Sequence, residues 1–407
     1  MICRGCGADV LSLLIDLGYS PISNELVSEQ NLDSPEVNYP LKVFVCDSCG
    51  LVQTPEITTR EILFPEDYVY YSSFSKSWLA HCEEYVVEIS KKLELSASDL
   101  VVEVASNDGY LLQYFRNLGI QVLGIEPSAK VAGVAEEKGI PTRIDFFGEE
   151  LAMDLMRAGV RPKLMVANNV LAHVPNIHDF VKGFAILLAK DGVITFEFPH
   201  LSKLFENNEF DTIYHEHYSY LSLEALDKIF ASHGLEIYDV DSLPTHGGSL
   251  RIYVSHEGTK IRNTDSLDLV SAIEQTWSPR SKNIVEAFQS KCLDVKFDLL
   301  TELIRLKKEG KRVVGYGAAA KGNTLLNYCG INSDLIEYVV DMNPAKQSKF
   351  LPGSHIPVVD PSAFARNAPD VVLILPWNIA GEITKQLHDS LPKGIELLIA
   401  IPGLKYL

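Results

Sequence analysis

Proton-handling side chains crowd one short stretch: positions 212–220 read TIYHEHYSY, with two histidines, one glutamate and three tyrosines in nine residues. Histidine titrates near neutrality and suits proton removal from a carbon acid, while a tyrosine or second histidine can donate to the oxyanion that remains. The same stretch also suits a metal, because His215 and His217 alternate as ligands on a strand would.

Another set of residues makes a stronger claim on metal. CRGCG at 3–7 and CDSCG at 46–50 are two matched CxxC turns. Each turn lets two thiolates converge, and the glycine after its second cysteine permits the backbone geometry. Cys3, Cys6, Cys46 and Cys49 therefore predict a closed, tetrahedral structural zinc, against the plainer alternative of four unrelated thiols. With no ligand position open, such an ion serves folding rather than catalysis. Cys82, Cys292 and Cys329 read as buried or semi-buried thiols.

Two turns have the form of nucleotide sites. VVEVASNDGYLL at 101–112 is a strand ending in an acidic residue, a small-residue turn and a helix start, and Glu126 ends the next strand in LGIEPS. Backbone amides of such a turn surround a ligand, and the second carboxylate can accept both ribose hydroxyls, which suggests an adenosine-type ligand. Neither GxGxxG nor GK[ST] is present, and a purely structural turn is the alternative. VVGYGAAAKGN at 313–323 offers Gly315 and Gly317 as a phosphate cradle, Lys321 as a cation and, further on, Asp341 as a ribose acid. Ala320 stands where a dinucleotide fingerprint wants glycine, so an empty, degenerate turn is the competing reading. Trp377 and Asn378 end a later strand and can flank a base or sit in the core. In THGGSLR at 245–251, His246 and Gly247 mark a bend that either admits a ligand to bare backbone or is an ordinary glycine turn.

These residues must be carried by alternating strands and helices. DLVVEV, QVLGI, KLMVANNVL and GVITFEFPH are buried-strand patterns separated by helical stretches, closed by a hairpin at LEIYDVDSLPTHGGSLRIYVSH. A second, smaller block runs from KRVVGYG through LIEYVVD and DVVLILPWN to IELLIAIPG. The expected fold is α/β, with a parallel sheet covered on both faces in each block. The expected organisation is a zinc-binding module at 1–56, a cofactor domain at 57–261, a helical connector at 262–310 and a second α/β domain at 311–407. Apolar residues at 46% and charged residues at 22% of 407 are those of a globular chain of two or three domains. A net charge of -18 with no compensating basic patch argues against nucleic acid as a partner. No run approaches the roughly 18 apolar residues of a membrane span, and MICRGCGADV lacks the regions of a secretion signal, so a cytoplasmic protein without membrane partners is expected.

The turn at 101–112 together with Glu126 resembles motif I of class I S-adenosylmethionine methyltransferases. The resemblance implies that S-adenosylmethionine is held by Glu103, Ala105, Asn107, Asp108, Gly109, Glu126 and Pro127. Asp145 and Phe146 of RIDFF then lie at the adenine, and Asn168 of ANNVLAHVP falls in the fourth-strand motif. One departure is Ala105, where the family has its first glycine, which crowds the approach of the cofactor. The whole chain is similar to a narrower group, the sugar C-methyltransferases acting on nucleotide-linked 4-keto-deoxyhexoses in deoxysugar biosynthesis. The markers LGYSPISN, YVYYSS, ANNVLAHVP, FDTIYHEHYSYLS, PTHGGSLR, VVGYGAAAKGNTLLNYCGI and PGSHIPV occur in order. This resemblance implies a class I methyltransferase Rossmann-like domain, a smaller Rossmann-like domain for the nucleotide sugar and an N-terminal zinc module. It assigns His217 as the base that deprotonates the carbon alpha to the ketone, with Tyr70, His173, Tyr214 and Glu216 lining the sugar site. His246, Gly247, Gly315, Gly317, Lys321, Asp341, Trp377 and Asn378 would then bind a dTDP- or GDP-linked sugar, methylated at C3 in preference to C5, in a monomer or homodimer. The competing readings are a nicotinamide-dependent oxidoreductase built on VGYGAAAKG and a zinc-bearing binding protein without activity.

Overall fold

LVVEV, LMVAN and VITFEFP are almost unbroken apolar runs because the strands they form are covered on both faces. The computed structural model describes residues 1–58, 63, 71–390 and 394–407. Tyr70 lies outside the described residues. In the middle of the chain a seven-stranded sheet runs in the order Leu235–Leu243, Ser249–His256, Val193–Pro199, Leu164–Asn168, Leu100–Val104, Gln121–Ile125, Thr142–Arg143. Five of these strands are parallel, and the closing hairpin adds Ser249–His256 antiparallel to Val193–Pro199. Counted along the chain the order is 3-2-1-4-5-7-6, a doubly wound sheet whose direction of winding reverses beside Leu100–Val104.

Alternation along each strand divides the core in two. Val101, Leu164, Val166 and Val193 face one side, where Cys82, Tyr85, Val86 and Ile89 of helix Lys76–Lys92 cover them. Ser75 caps that helix by accepting from the Trp78 amide. Val102, Val104, Met165, Ala167, Ile194 and Phe196 face the other side, beneath helices Ile177–Leu187 and Leu223–Ala231.

The C-terminal sheet is built around Val313–Tyr316, parallel to Val339–Val340 on one flank and Val371–Ile374 on the other. The N-terminal residues are shared between neighbours. Leu11–Ser20, Tyr39–Cys46 and Val52–Gln53 form an antiparallel sheet whose fourth strand, Ser219–Tyr220, comes from the crowded stretch in mid-chain. Val27–Ser28 instead extends the edge of the C-terminal sheet by pairing with Lys349–Phe350. One core joins Leu14, Ile15, Leu41 and Val43 to Phe288, Cys292, Val295, Leu299 and Leu303 of the long helix Lys282–Lys308 and to strand residues Val313, Val371 and Leu373. This common packing holds the C-terminal sheet against the mid-chain stretch. Among the described residues no helix is long and apolar enough to cross a membrane.

Candidate active site

The TIYHEHYSY stretch is a turn pinned at both ends. Phe210 and Ile213 are buried in the shared core, and the Tyr218 amide donates to the Ala172 carbonyl at 2.8 Å. His217 Nδ1 lies 2.8 Å from the Thr212 carbonyl and must donate to it. That fixes the tautomer and leaves the Nε2 lone pair to accept from the Tyr214 hydroxyl at 2.8 Å. The His173 ring stands 4.7 Å from the His217 ring, oriented by donation from its Nδ1 to the Glu216 carbonyl at 2.7 Å. Burial pushes the His173 imidazole down to about 4. Burial, with His173, Lys321 and His246 nearby, holds His217 well below the usual histidine range, so it stands neutral and able to accept a proton.

Glu216 orients the neighbouring imidazole through its main chain. Its carboxylate turns away, accepting from Asn24 Nδ2 at 3.0 Å, and burial lifts it to about 7. His215 packs edge-on against Tyr39 at 5.9 Å, outside the group formed by His173, Tyr214 and His217. Tyr218 and Tyr220 are buried.

The facing wall comes from the C-terminal domain. Lys321, in the first turn of helix Ala320–Cys329, donates to Asn378 Oδ1 at 2.9 Å and lies 4.9 Å from the centre of the Trp377 ring. Trp377 Nε1 donates to Asp211 at 2.7 Å, one residue before Thr212. Burial raises Asp211 to about 6 and Glu209 to about 7, with Lys321 opposing both shifts. A Cβ on Gly247 would meet Glu209 Oε1 at 2.5 Å and Trp377 Cη2 at 2.9 Å, so the hairpin bend and this wall touch only because position 247 is glycine.

The glycines expected to cradle phosphate do something else. Gly315 donates its amide to the Tyr338 carbonyl at 2.8 Å and Gly317 to Val340 at 2.7 Å, so both amides belong to the sheet. A Cβ at either position would collide with Val339 or Pro376. Asp341 is fixed in place, accepting from the amides of Ala318 at 2.7 Å and Asn343 at 2.8 Å.

At the reversal point of the middle sheet, Glu103 is fully buried, with the Tyr110 hydroxyl facing its carboxylate. Burial pushes this carboxyl well above its usual range. Glu126 accepts from the amides of Asn107 at 3.1 Å and Ser128 at 2.9 Å, which fixes its carboxylate beside the turn. Ala105, Asn107 and Gly109 have φ of 57°, 48° and 74°, and a Cβ at Gly109 would meet Ile140 Cδ1 at 2.3 Å. Asn107 Oδ1 and the Asp108 carboxylate accept from the Ser72 amide and the Ser73 hydroxyl, so these two side chains hold the segment that covers the turn. Asn168 ends its strand beside the turn, Pro127 follows Glu126, and the more exposed Asp145 pairs with Arg143 at 3.3 Å and caps the Phe146 amide. The buried Glu103 carboxylate, which has acceptor capacity beyond Tyr110, and the fixed Glu126 fit the amino and ribose ends of S-adenosylmethionine.

The four knuckle sulfurs lie within 4.8 Å of one another, with Cys3 3.6 Å from Cys49 and Cys6 3.6 Å from Cys46. A zinc–sulfur tetrahedron of about 2.3 Å bonds has edges of about 3.8 Å, so the set fits that ion.

Sequence reasoning missed the network behind the site. Glu197, buried within VITFEFP, accepts from Arg251 at 2.6 Å, His81 at 2.9 Å and the Thr245 hydroxyl at 2.9 Å. A carboxylate in an apolar run was the available signal, because buried charge requires a partner.

Three family models match successive parts of the chain: a zinc binding domain at 3–64, a methyltransferase domain at 79–240 and a C-methyltransferase C-terminal domain at 244–402. The C-methyltransferase NovU of Streptomyces niveus is 34% identical over 401 residues, covering 98% of this chain and 95% of that protein. Solved structures include an S-adenosylmethionine-dependent methyltransferase of Clostridium acetobutylicum, 13% identical over 49% of this chain and 96% of that one, with a TM-score of 0.36. Magnesium protoporphyrin IX methyltransferase of Synechocystis, solved with S-adenosylhomocysteine, is 16% identical over 49% of this chain and 93% of that one, also at 0.36.

Proposed function

The chain belongs to the C-methyltransferase family, as an S-adenosylmethionine-dependent enzyme with a zinc-binding module, and on that premise we propose that its acceptor is a nucleotide-linked 4-keto-deoxyhexose methylated alpha to the ketone. The observation that carries this reading is His217, whose Nε2 lone pair accepts from the Tyr214 hydroxyl beside His173, and which burial keeps neutral.

A ketone makes the neighbouring carbon–hydrogen bond acidic enough for a positioned base. His217 takes that proton on Nε2, while its Nδ1–H bond to the Thr212 carbonyl keeps the ring in place and helps carry the positive charge. The proton displaces the Tyr214 hydroxyl, which turns to donate to the enolate oxygen. S-adenosylmethionine, when bound, supplies the sulfonium methyl group that the enolate carbon attacks. His173, fixed by the Glu216 carbonyl, lines the same side, and burial keeps His217 neutral.

We assign the methyl to C3 rather than C5, the nucleotide to dTDP or GDP, and the reaction to deoxysugar biosynthesis in the cytoplasm, by a monomer or homodimer. The diphosphate would meet the N-terminal turn of helix Ala320–Cys329 and Lys321 rather than the amides of Gly315 and Gly317.

Incubation with methyl-labelled S-adenosylmethionine and a panel of nucleotide-linked 4-keto sugars tests the proposal. Label should appear at the carbon alpha to the ketone, and transfer to oxygen, to nitrogen or to no member of the panel would refute it. Solvent deuterium exchange at that carbon isolates the base: it should fall in His217→Ala, and exchange as fast as wild type would remove His217 from that role.

A further inference from the structure

The cysteine knuckle reaches the active-site turn through the residue between its first two sulfurs. Arg4 lies in the tight turn that the Gly7 amide closes by donating to the Cys3 carbonyl at 2.9 Å, and His178 Nε2 holds the next residue by donating to the Gly5 carbonyl at 2.9 Å. A Cβ on Gly5 would meet Leu51 Cδ2 at 2.9 Å, so the turn is seated directly on the core. From this base the Arg4 guanidinium donates through Nη1 to the Tyr218 carbonyl and through Nη2 to the Thr54 carbonyl at 2.9 Å. A planar fork can hold two acceptors at once in fixed directions, which a lysine ammonium on its flexible stem does not.

Gln53 ties the same two places together. Its Oε1 accepts from the Arg4 amide at 3.0 Å, its Nε2 donates to the Cys3 sulfur at 3.2 Å, and its backbone pairs with Ser219 of the crowded stretch. Three successive carbonyls of that stretch are then taken by side chains from elsewhere. Glu216 accepts from His173, His217 from the Thr54 hydroxyl at 2.9 Å, and Tyr218 from Arg4. The Thr54 amide adds a second bond to the Tyr218 carbonyl at 3.1 Å. Thr54 and Tyr218 are almost fully buried, which makes each of these bonds costly to lose.

His217 is therefore held twice. The Thr212 carbonyl fixes its ring, and residues 4 and 54 of the N-terminal module fix the main chain that carries the ring. A reacting group displaced by about 1 Å can lose about a hundredfold in rate, so a hold on this backbone bears directly on proton removal.

We infer that Arg4 and Thr54 are positioning residues for His217, through which the cysteine knuckle sets the place of the proposed base. This rests on the assignment of His217 above, and one of its readouts needs no turnover. Arg4→Met and Thr54→Val are made in the full zinc-loaded chain, with zinc measured by elemental analysis and affinity for S-adenosylhomocysteine by calorimetric titration. The ring signal of His217, identified by NMR as the one lost in His217→Ala, should shift in both variants while zinc content and that affinity stay as in wild type. Solvent deuterium exchange at the carbon alpha to the ketone should slow about ten- to hundredfold. Adding Arg4→Met to His217→Ala should slow it no further, because Arg4 acts through that ring. Should Arg4→Met lose its zinc, Thr54→Val decides, since its hydroxyl bonds the His217 carbonyl. An unmoved ring signal, or exchange at the wild-type rate, in a variant that keeps its zinc overturns the inference, as does a further loss in the double variant. Loss of zinc in both single variants also overturns it, because the contacts then serve the fold alone. If wild type exchanges no 4-keto sugar, the proposed reaction falls and the ring signal by itself decides the positioning role.

Discussion

Replacing Glu197 by glutamine tests whether buried charge holds the floor of the site. Glu197 is fully buried and its principal partner, Arg251, has a side chain only 4% exposed, so the guanidinium has no route to water once the carboxylate is neutralised. The amide oxygen can still accept from one Arg251 nitrogen while the amide NH2 donates to the Thr245 hydroxyl, but the charge assistance of the Arg251 and His81 contacts at 2.6 and 2.9 Å is lost. Breaking a buried pair from one side costs about 3–5 kcal/mol, and retention of some hydrogen bonds places the glutamine variant near 3 kcal/mol. For a domain of roughly 200 residues this is a fall of about 6–12 °C in Tm, read by calorimetry. Adding Arg251→Met removes the stranded cation and should restore much of the loss, which a double-mutant cycle measures. The pH dependence has a definite sign. His81 and Arg251 hold the folded Glu197 carboxyl below its usual value despite burial, so its stabilisation is present above the ordinary carboxylate range near 4.3 and disappears as pH falls through the folded value. The gap in Tm between wild type and Glu197→Gln should therefore be constant from pH 8 to about 5 and close only in stronger acid. A loss under about 1 kcal/mol, or a gap that closes near neutrality, would refute the argument.

Tyr214→Phe should lower kcat by about 10²–10³ with little change in affinity for S-adenosylmethionine, as steady-state kinetics and calorimetric titration would show, because its hydroxyl is the donor proposed for the enolate. The acid limb of kcat/KM should lie below the ordinary imidazole range, leaving the rate flat through neutrality, since burial keeps His217 deprotonated until well below its usual pKa. Ala105→Gly should raise Tm by a few degrees, about 1 kcal/mol, because φ of 57° strains alanine and not glycine. Chelation with phenanthroline, or Cys46→Ser, should remove one zinc per chain by elemental analysis and lower Tm, as three of the four cysteines, Cys3, Cys46 and Cys49, are buried in one core with residues of the mid-chain sheet.

Much of this protein could be read from short-range pattern. Two CxxC turns specify a tetrahedral site because each brings its pair of sulfurs together locally, and the apolar runs LVVEV, LMVAN and VITFEFP announce strands covered on both faces. Two of the crowded residues, Tyr214 and His217, do meet, with His173 from the fourth-strand motif beside them. What the sequence left undecided is where each polar side chain finds its partner. Gly315 and Gly317 look like a phosphate turn in one dimension, yet parallel pairing with Val339–Val340 takes their amides. Glu216 orients His173 by its carbonyl while its carboxylate serves Asn24, nearly two hundred residues away. Glu197 meets Arg251 only because an antiparallel register sets them opposite each other, and a slip of one residue would turn both to the other face. Local periodicity determines which elements form and which faces are buried. Hydrogen-bond partnership depends on strand register and on crossovers between distant segments, and those distances and directions exist only in the folded chain.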